Sequence, residues 1–534
     1  MTLAKLRARL GAFFVLVLSF SLASPAYAEW WEAETAHFVV KSRASQDDAR
    51  EYALELERFD AALRALQGMP LDGDNESRAN KPTVYRFGRP KDMARIIGAS
   101  GSGIAGFFIP RAGASVGFAP THNSRDTSSK TSWQIKADPR TRLDPRSVLL
   151  HEYTHYFMMQ HFPGAYPRWY VEGFAETMAT MRFEEDGSYH IGDPPQYRAF
   201  QIFQLQDFPL DEMLDANHKL TGLDGLQHYA TGWLLTHYMS FDGERLAKLR
   251  AYLGAIAEGE DSLTAARTHF GDLDALEKEL QKYKKGPFPG LRLAGTVASE
   301  DVKMRELTKA EEDAINAEMR LARGVYKDSE ARDIVSDVEK VIAKHGETPH
   351  LLELLGSAQL AADDNDAADA TGARLAELAP DSAMGWLLRA TAAADKADED
   401  PKFGELARTY ASQAAARDRD DPRPLMLYYF TYFRSGEEIP ETAIIALEQA
   451  FDHAGSDTGY RLLLARQLIL EDRMQSARAV LLPIAFRGHK TAEPKDEDDP
   501  TLPRVLKFVM DGNRDQALVM VDKMLADEAE DEDA

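Results

Sequence analysis

The feature that most restricts the fold of this 534-residue chain is an almost unbroken series of helical patterns after residue 295. Stretches of about 12 to 16 residues rich in Ala, Leu and Glu alternate with short turns marked by Asp, Gly or Pro. Leu352, Trp386, Met426 and Tyr460 each follow such a turn by a few residues, at intervals of 34, 40 and 34 residues. A pair of helices that recurs at a nearly fixed period predicts a stacked helical array.

A period of 34 residues is that of the tetratricopeptide (TPR) repeat, and residues 351–380 resemble one repeat, with two helices and small residues where they cross. The 40-residue interval departs from this pattern. We therefore predict an all-α, TPR-like helical solenoid over residues 301–534, ending in an acidic tail, and an unrelated helical bundle is the alternative. Repeats of this type form concave surfaces for peptides or proteins, so the resemblance implies a protein partner.

A domain boundary is predicted just before this region. Residues 284–295 contain two prolines and three glycines, a composition typical of a connection between domains, and we place the linker at residues 286–300. Residues 29–285 show strand-like patterns first and helical patterns later, which is the order of an α+β domain. The strand-like stretches are 30–41, 83–87 and 105–118, a helix is predicted over 45–66, and residues 121–131 are predicted to form a surface loop.

The N-terminus has the pattern of an export signal. Lys5, Arg7 and Arg9 precede an apolar stretch from residue 10 to about residue 23, and an Ala-Tyr-Ala triplet ends at Ala28. We predict that residues 1–28 are a signal peptide cleaved after Ala28 and that the protein is exported, to the periplasm or the exterior. An uncleaved membrane anchor is the alternative, but the apolar run is short for a membrane span, and no later segment is predicted to cross a membrane.

The net charge and the cysteine content exclude several classes of function. The net charge is −24, and it becomes −27 when the signal peptide removes three positive charges. A protein this acidic repels phosphate, and since the sequence has no basic patch, nucleic-acid binding is not expected. The chain has no cysteine, which excludes disulfides, thiol catalysis and zinc sites built from cysteine.

One motif carries chemistry. Residues 151–155 read His-Glu-Tyr-Thr-His, in a segment predicted to be helical from Pro145, with Asp144 as its N-cap, to the Pro-Gly pair at 163–164. Most of the neighbouring positions are apolar, so the helix is predicted to be buried. Two imidazoles and a carboxylate are costly to bury without partners, and a bound metal ion would remove that cost.

The spacing of this motif supplies the geometry of a metal site. His151 and His155 are four residues apart on one helical face, so both can bind one Zn²⁺ ion. Glu152 lies about 100° further round the helix, beside the metal, where a carboxylate can hold and deprotonate a water molecule. Two core histidines with satisfied hydrogen bonds are the alternative interpretation.

The next predicted helix begins after Pro167 and supplies further candidates. A catalytic zinc site has three protein ligands, and Glu172 is our prediction for the third one. Gly173 would allow this helix to approach the first helix closely. Glu176 lies one turn after Glu172, where it could accept an imidazole N–H and orient a metal ligand, and the alternative for Glu176 is an exposed helix carboxylate.

These two segments, HEYTH and WYVEGFAE at 169–176, resemble the gluzincin metallopeptidases and the less-characterised peptidase MA-like proteins. In that family HExxH is paired with a glutamate on the next helix, and in its aminopeptidase branch the glutamate lies in a W-x-x-E-G-F-A segment. The resemblance implies a zincin-like metallopeptidase fold for residues 29–285. It further implies His151, His155 and Glu172 as ligands of one zinc ion, and Glu152 as the general base.

The resemblance extends to a tyrosine further along the chain. Aminopeptidase-type gluzincins carry a tyrosine in a Y-x-x-G segment that stabilises the oxyanion, and this chain has Tyr229 at the start of such a segment, predicted to open a helix. The resemblance therefore implies a catalytic role for Tyr229, with the neighbouring His228 as an alternative donor.

Two departures from the family pattern bear on specificity. Sixteen residues separate His155 from Glu172, fewer than in the best-known branches, and the G-x-M-E-N motif that binds the substrate amine in aminopeptidases is absent. The strand-like segment before the active helix could still pair with an extended peptide as an edge strand. We therefore expect an endopeptidase or a broad-specificity peptidase rather than an aminopeptidase.

Two functions follow as hypotheses. The first is an exported zinc-dependent metallohydrolase that acts on a peptide or protein substrate, with Glu152 as base and Tyr229 at the oxyanion. The second is a TPR-type protein-binding scaffold whose zincin-like domain is inactive. The repeats could also recruit a substrate to a catalytic domain, which would combine the two.

Overall fold

A computed structural model describes most of the chain. The described residues are 29–71, 77–97, 106–113, 115–121, 144–216, 218, 220, 224–295, 301–325, 327–397, 400–485 and 501–532. The predicted signal peptide and all of the predicted loop after Thr121 lie outside these ranges. Among the described helices, none combines the length and the apolar character that crossing a bilayer requires.

Nine strands are found in the described residues, and they form two sheets. The strands are β1 (Trp31–Glu34), β2 (Val39–Ser42), β3 (Thr83–Arg86), β4 (Phe107–Ile109), β5 (Val116–Ala119), β6 (Arg182–Phe183), β7 (Tyr189–Ile191), β8 (Leu291–Leu293) and β9 (Lys303–Glu306). The larger sheet has the order β4-β5-β3-β2-β1-β9, and β6-β7-β8 form the smaller one. Strands β2, β3 and β5 are parallel, and the outer pairings of the larger sheet are antiparallel.

The N-terminal strand signal is split by a turn. The stretch 30–41 was expected to be one strand, but a turn in which Thr35 N donates to Phe38 O at 2.9 Å divides it into β1 and β2. Beyond it, α1 (Gln46–Leu66) begins as predicted, with the Ser45 hydroxyl accepting from Asp48 N at 3.2 Å. The apolar side of α1 packs on the sheet and forms the main N-terminal core.

The remaining helices of the N-terminal region are interspersed with the later strands. They are α2 (Pro90–Ile96), α3 (Pro145–His161), α4 (Arg168–Ala179), α5 (Ala199–Gln204), α6 (Leu210–Leu214), α7 (Asp224–Ser240), α8 (Gly243–Ala257), α9 (Ser262–Phe270) and α10 (Leu273–Tyr283). Strands β1 to β5 come before α3, as the sequence predicted, but β6 to β9 follow helices, so the predicted order of early strands and late helices holds only in part of this α+β region. Helix α3 lies on the larger sheet next to β4, which is an edge strand of that sheet.

The segment predicted as a linker differs from that prediction. Strand β8 lies within 286–300 and pairs with β7, with Leu293 opposite Tyr189. Strand β9, just beyond it, adds to the larger sheet by pairing with β1. The prolines and glycines of this segment therefore flank a strand of the N-terminal region, and the helical repeats begin only after residue 306. The two strands were not predicted because pairing with strands far away in the sequence leaves no local signal.

Helix pairs make up the rest of the described chain, which we call the repeat region. Its helices are α11 (Lys309–Arg323), α12 (Asp328–His345), α13 (Pro349–Ala361), α14 (Asn365–Leu378), α15 (Met384–Lys396), α16 (Lys402–Arg417), α17 (Pro422–Ser435), α18 (Glu441–His453), α19 (Thr458–Leu470), α20 (Met474–Ala485), α21 (Leu502–Met510) and α22 (Arg514–Glu532). Consecutive helices pack against one another, which is the TPR-like arrangement predicted.

The sequence period corresponds to these pairs. Leu352, Trp386, Met426 and Tyr460 lie in α13, α15, α17 and α19, the first helix of each successive pair. The longer interval of 40 residues contains α16, which has 16 residues against 14 in α14. One longer second helix therefore accounts for part of the irregularity without interrupting the stacking.

The contacts between the repeat region and the N-terminal region include buried ones made by its first helix and by α19. On α11, the buried Glu318 forms an ion pair with Lys41 of β2 and accepts a hydrogen bond from Tyr85 Oη of β3 at 2.6 Å. On α19, the buried Arg461 donates to Met159 O, in the last turn of α3, at 2.9 Å. Buried polar contacts of this kind fix the relative position of the elements that they join.

Candidate metal centre

Helix α3 carries the His-Glu-Tyr-Thr-His motif and begins as the sequence predicted. Asp144 is its N-cap, accepting from Arg146 N at 3.4 Å, and Pro145 is its first residue. The opposite side of the helix is anchored in the core, where Tyr153 Oη donates to Asp60 Oδ1 of α1 at 2.7 Å. This anchoring leaves His151 and His155 on the other face, with 11% and 13% of their side chains exposed.

Helix α4 brings Glu172 to these two histidines. Glu172 Oε2 lies 3.3 Å from His151 Nε2 and 3.4 Å from His155 Nε2, and the two Nε2 atoms are 3.1 Å apart. The Glu172 side chain is 1% exposed. All three predicted metal ligands therefore converge on one point, at the junction of α3 and α4.

The separations of these three atoms fit a zinc ion. Zinc binds imidazole nitrogen and carboxylate oxygen at about 2.0–2.1 Å in tetrahedral geometry, which requires neighbouring ligand atoms to be about 3.3–3.4 Å apart. The three observed separations of 3.1, 3.3 and 3.4 Å lie close to that value. Two imidazoles and one carboxylate are also a donor set that suits zinc and leaves a fourth position for water or substrate.

The electrostatics of the site favour a cation. Burial acts to lower the pKa of His151, but Glu172, together with Glu176 and Glu152, overcomes that effect and raises the pKa to about 9. The site thus holds enough negative charge to keep an imidazole protonated, and a divalent cation bound by the same atoms would neutralise that charge instead.

Glu176 lies close to the site but does not make the predicted hydrogen bond to an imidazole. Its Oε1 is 4.0 Å from His151 Nδ1, which is too long for a hydrogen bond. Its carboxylate instead accepts from Tyr197 Oη at 2.6 Å and from Arg198 at 2.7 and 2.9 Å. Glu176 is 1% exposed, so it is not an exposed helix carboxylate either, and it acts on His151 through its charge.

The close approach made by Gly173 is to a different helix from the one predicted. A Cβ on Gly173 would overlap the Gly232 carbonyl and the Thr236 hydroxyl of α7, and a Cβ on Gly232 would lie 2.9 Å from Trp169 O of α4. These two glycines allow α4 and α7 to cross with their backbones nearly in contact. The crossing brings α7, and Tyr229 with it, beside the three converging side chains.

Tyr229 lies inside α7 rather than at its start, because the helix begins at Asp224. Its ring centroid is 6.4 Å from that of His151, and the Arg198 guanidinium lies 4.9 Å from its ring centre. Burial, with Glu172 adding to it, raises the pKa of Tyr229 well above its ordinary value. The phenol therefore stays protonated and remains an O–H donor next to the site.

His228, the alternative donor, is directed into the core. It is 3% exposed, and its ring lies 6.0 Å from that of Phe208. Burial and the nearby Arg168 lower the pKa of His228 to about 4. His228 is therefore neutral in the folded protein, although the charge of Glu172 acts on it in the opposite sense to burial.

Replacing Gly173 with alanine is expected to destabilise the protein by about 2–3 kcal/mol, because the added methyl has no space against α7. Thermal unfolding measures the loss. Gly254 of α8 is the matched control, since a Cβ there meets nothing within 4 Å, and Gly254→Ala is expected to be neutral or slightly stabilising. Equal melting temperatures for the two variants would contradict the close crossing of α4 and α7.

A cavity of about 400 Å³ adjoins two of the three ligands, His155 and Glu172, and is also lined by Glu152. Phe108 and Pro110, on and just after the edge strand β4, line it as well. Residues of the repeat region complete the lining: Thr458, Pro483, Ile484 and Leu502. The candidate site is thus built from both parts of the chain.

Several residues at the site were missed by the sequence analysis. Arg168, the first residue of α4, lines the cavity, and its buried Nε has no hydrogen-bond partner among the described residues. Its position one turn before Glu172 is a signal that could have identified it. Arg198, which binds Glu176, and the cavity residues of the repeat region carry no comparable signal, because only the tertiary fold brings them to the site.

Comparisons with known proteins address the helical part of the chain. No protein-family model and no curated protein matches the chain. A thermophilic TPR protein of Thermus thermophilus is 17% identical, covers 38% of this chain and 98% of its own, and has a TM-score of 0.29. The MamA RS-1 ArsTM double mutant is 18% identical, covers 34% of this chain and 99% of its own, and has a TM-score of 0.27.

Proposed function

We propose that this chain is an exported, zinc-dependent hydrolase that cleaves peptides or proteins. The observation that carries the proposal is the convergence of His151 Nε2, His155 Nε2 and Glu172 Oε2 at separations of 3.1–3.4 Å. These separations match the edges of a tetrahedral zinc site, and the donor set is that of a catalytic rather than a structural site. Export rests on the signal-peptide pattern of residues 1–28.

The proposed roles follow from the chemistry of each group. His151, His155 and Glu172 would hold a zinc ion, which would supply polarisation of a carbonyl and a lowered pKa of bound water. Glu152 lines the same cavity, where it takes a proton from water and passes it to the leaving nitrogen. Tyr229, protonated beside His151, donates a hydrogen bond to the oxyanion. Strand β4 is at a sheet edge next to the cavity and can pair with an extended peptide.

A second candidate is a protein-binding scaffold without catalysis. It is favoured by the repeat region, whose stacked helix pairs have the architecture of peptide-binding and protein-binding solenoids. In this alternative the cluster of His151, His155 and Glu172 holds a structural ion or none. Only the first candidate hydrolyses peptides. The two candidates are compatible if the repeats deliver substrates to a catalytic site.

The deciding experiment measures the zinc content and peptide hydrolysis of the purified protein. We expect about one zinc ion per chain, hydrolysis of a mixed peptide library, and loss of hydrolysis with a chelator that is reversed by added zinc. His151→Ala is expected to remove both the zinc and the activity. His345→Ala is the control, since His345 lies on α12 and pairs with Asp313 outside the site, and it should keep both.

Hydrolysis that persists in His151→Ala would contradict the proposal. A wild-type protein that holds no zinc and cleaves nothing, but captures a protein partner through residues 301–534, would favour the scaffold.

A further inference from the structure

The cavity beside His155 and Glu172 has an apolar interior to which the repeat region contributes. Met158, Met159 and Val171 line it from α3 and α4, and Ile484 and Leu502 line it from α20 and α21. Ile484 is 1% exposed and Leu502 is 6% exposed. The charged side chains that line the cavity are Glu152, His155, Glu172 and Arg168, and the first three belong to the proposed catalytic centre.

The repeat region is fixed at this place by polar contacts as well as by packing. Arg461 donates to Met159 O at 2.9 Å and, within the repeat region, to Val480 O at 3.0 Å. Ser456 N donates to Gln160 Oε1 at 2.9 Å. Met159 also belongs to the apolar core of helices α17 to α22. The wall that Ile484 and Leu502 supply is therefore held in a defined position relative to α3.

We propose that helices α19 to α21 of the repeat region form one wall of a substrate subsite that takes an apolar side chain adjacent to the scissile bond. The proposal rests on the proposed hydrolase function and adds to it a substrate class. A volume of about 400 Å³ is within the range of small ligand sites and accommodates one large aliphatic or aromatic side chain. The repeat region then selects substrates directly, next to the reacting groups, in addition to any recruitment at a distance.

The size of the effect follows from apolar burial. A buried leucine side chain removes three more carbon atoms from water than alanine does, which corresponds to a preference over alanine on the order of 50-fold. Removing part of the wall should reduce that preference, because a cavity that no longer fits the side chain loses contacts with it. The preference is a ratio measured within one variant, so a general loss of stability or of active protein does not change it.

The first test uses blocked pentapeptides, acetyl-Ala-Ala-X-Ala-Ala-amide with X as Ala, Leu or Phe. We expect the wild type to prefer Leu and Phe over Ala in kcat/KM, and Leu502→Ala to reduce the Leu-over-Ala ratio by about tenfold. Leu506→Ala is the matched control. Leu506 lies one turn later on α21, is 5% exposed and belongs to the same core, but does not line the cavity, so its ratio should equal that of the wild type.

The second test does not require hydrolysis and uses the absence of cysteine from the chain. Thr458→Cys, in a Glu152→Gln background, places one thiol in the cavity wall, and its alkylation rate is measured with and without the X = Leu and X = Ala peptides. We expect the Leu peptide to protect this thiol more than the Ala peptide does. Thr409→Cys, at an exposed position on α16, should not be protected by either peptide.

The outcomes separate this inference from the proposed function. If the wild type cleaves the peptides, and if Leu502→Ala lowers the Leu-over-Ala ratio while Leu506→Ala does not, the result supports both the subsite and the hydrolase function. Cleavage with equal ratios in the Leu502 and Leu506 variants overturns the subsite and leaves the hydrolase standing. If the wild type cleaves none of the peptides, the proposed function fails for this substrate class. Protection of the Thr458→Cys thiol then supports an apolar binding site, and lack of protection overturns it.

Discussion

Replacing Glu152 with glutamine is expected to reduce peptide hydrolysis by about 10²–10⁴-fold, while the zinc content stays at the wild-type value. Glutamine has nearly the same shape as glutamate but cannot accept the proton of water. Glu152 lines the cavity but is not one of the three converging ligands, so zinc binding should not depend on it. Elemental analysis and initial rates on the same preparation measure the two quantities.

Glu185→Gln is the control for Glu152→Gln, since Glu185 is exposed in the turn between β6 and β7 and its replacement should change neither quantity. Full residual hydrolysis by Glu152→Gln with zinc retained would remove the general base from the proposed mechanism. Loss of zinc from this variant would show that Glu152 contributes to metal binding, which also contradicts the role that we assign to it.

Replacing Arg461 with methionine is expected to lower the free energy of unfolding by about 3–5 kcal/mol. The guanidinium is 1% exposed and donates to three carbonyls, Gly455 O at 2.5 Å, Val480 O at 3.0 Å and Met159 O at 2.9 Å. Methionine fills a similar volume but leaves these carbonyls without their donor in a buried site. Chemical denaturation monitored by circular dichroism measures the loss.

The control for this variant is Arg466→Met on the same helix. Arg466, whose side chain is 17% exposed, pairs with Asp522, whose side chain is 46% exposed, and an ion pair near the surface contributes about 1 kcal/mol or less. A loss for Arg461→Met no larger than that for Arg466→Met would mean that the buried hydrogen bonds to α3 and α20 do not stabilise the fold.

The parts of the site that depend on local spacing could be predicted from the sequence. His151 and His155 share a face because of the helical period alone, and Glu172 could be identified because it lies on the next helix. The N-cap of α3 and the alternation of helices after residue 306 are equally local. For such features, the residues that determine the structure are close together in the sequence.

What could not be predicted depends on distant contacts. Gly173 was expected to face α3, but its neighbours are Gly232 and Thr236 of α7, some 60 residues later. Strand β8 was interpreted as linker, because its partner β7 lies a hundred residues earlier. The carboxylate of Glu176 is bound by Arg198, whose position in the sequence gives no sign of that contact. Each of these features requires knowledge of how the elements pack.

The attachments of the repeat region to the N-terminal region have a mechanical consequence. They include the contact of Glu318 with the sheet and that of Arg461 with the last turn of α3. A solenoid held at several separate points cannot change its curvature without moving one of them or breaking its contacts. A protein that bends the repeats on binding would therefore exert force on the helix that bears His151 and His155.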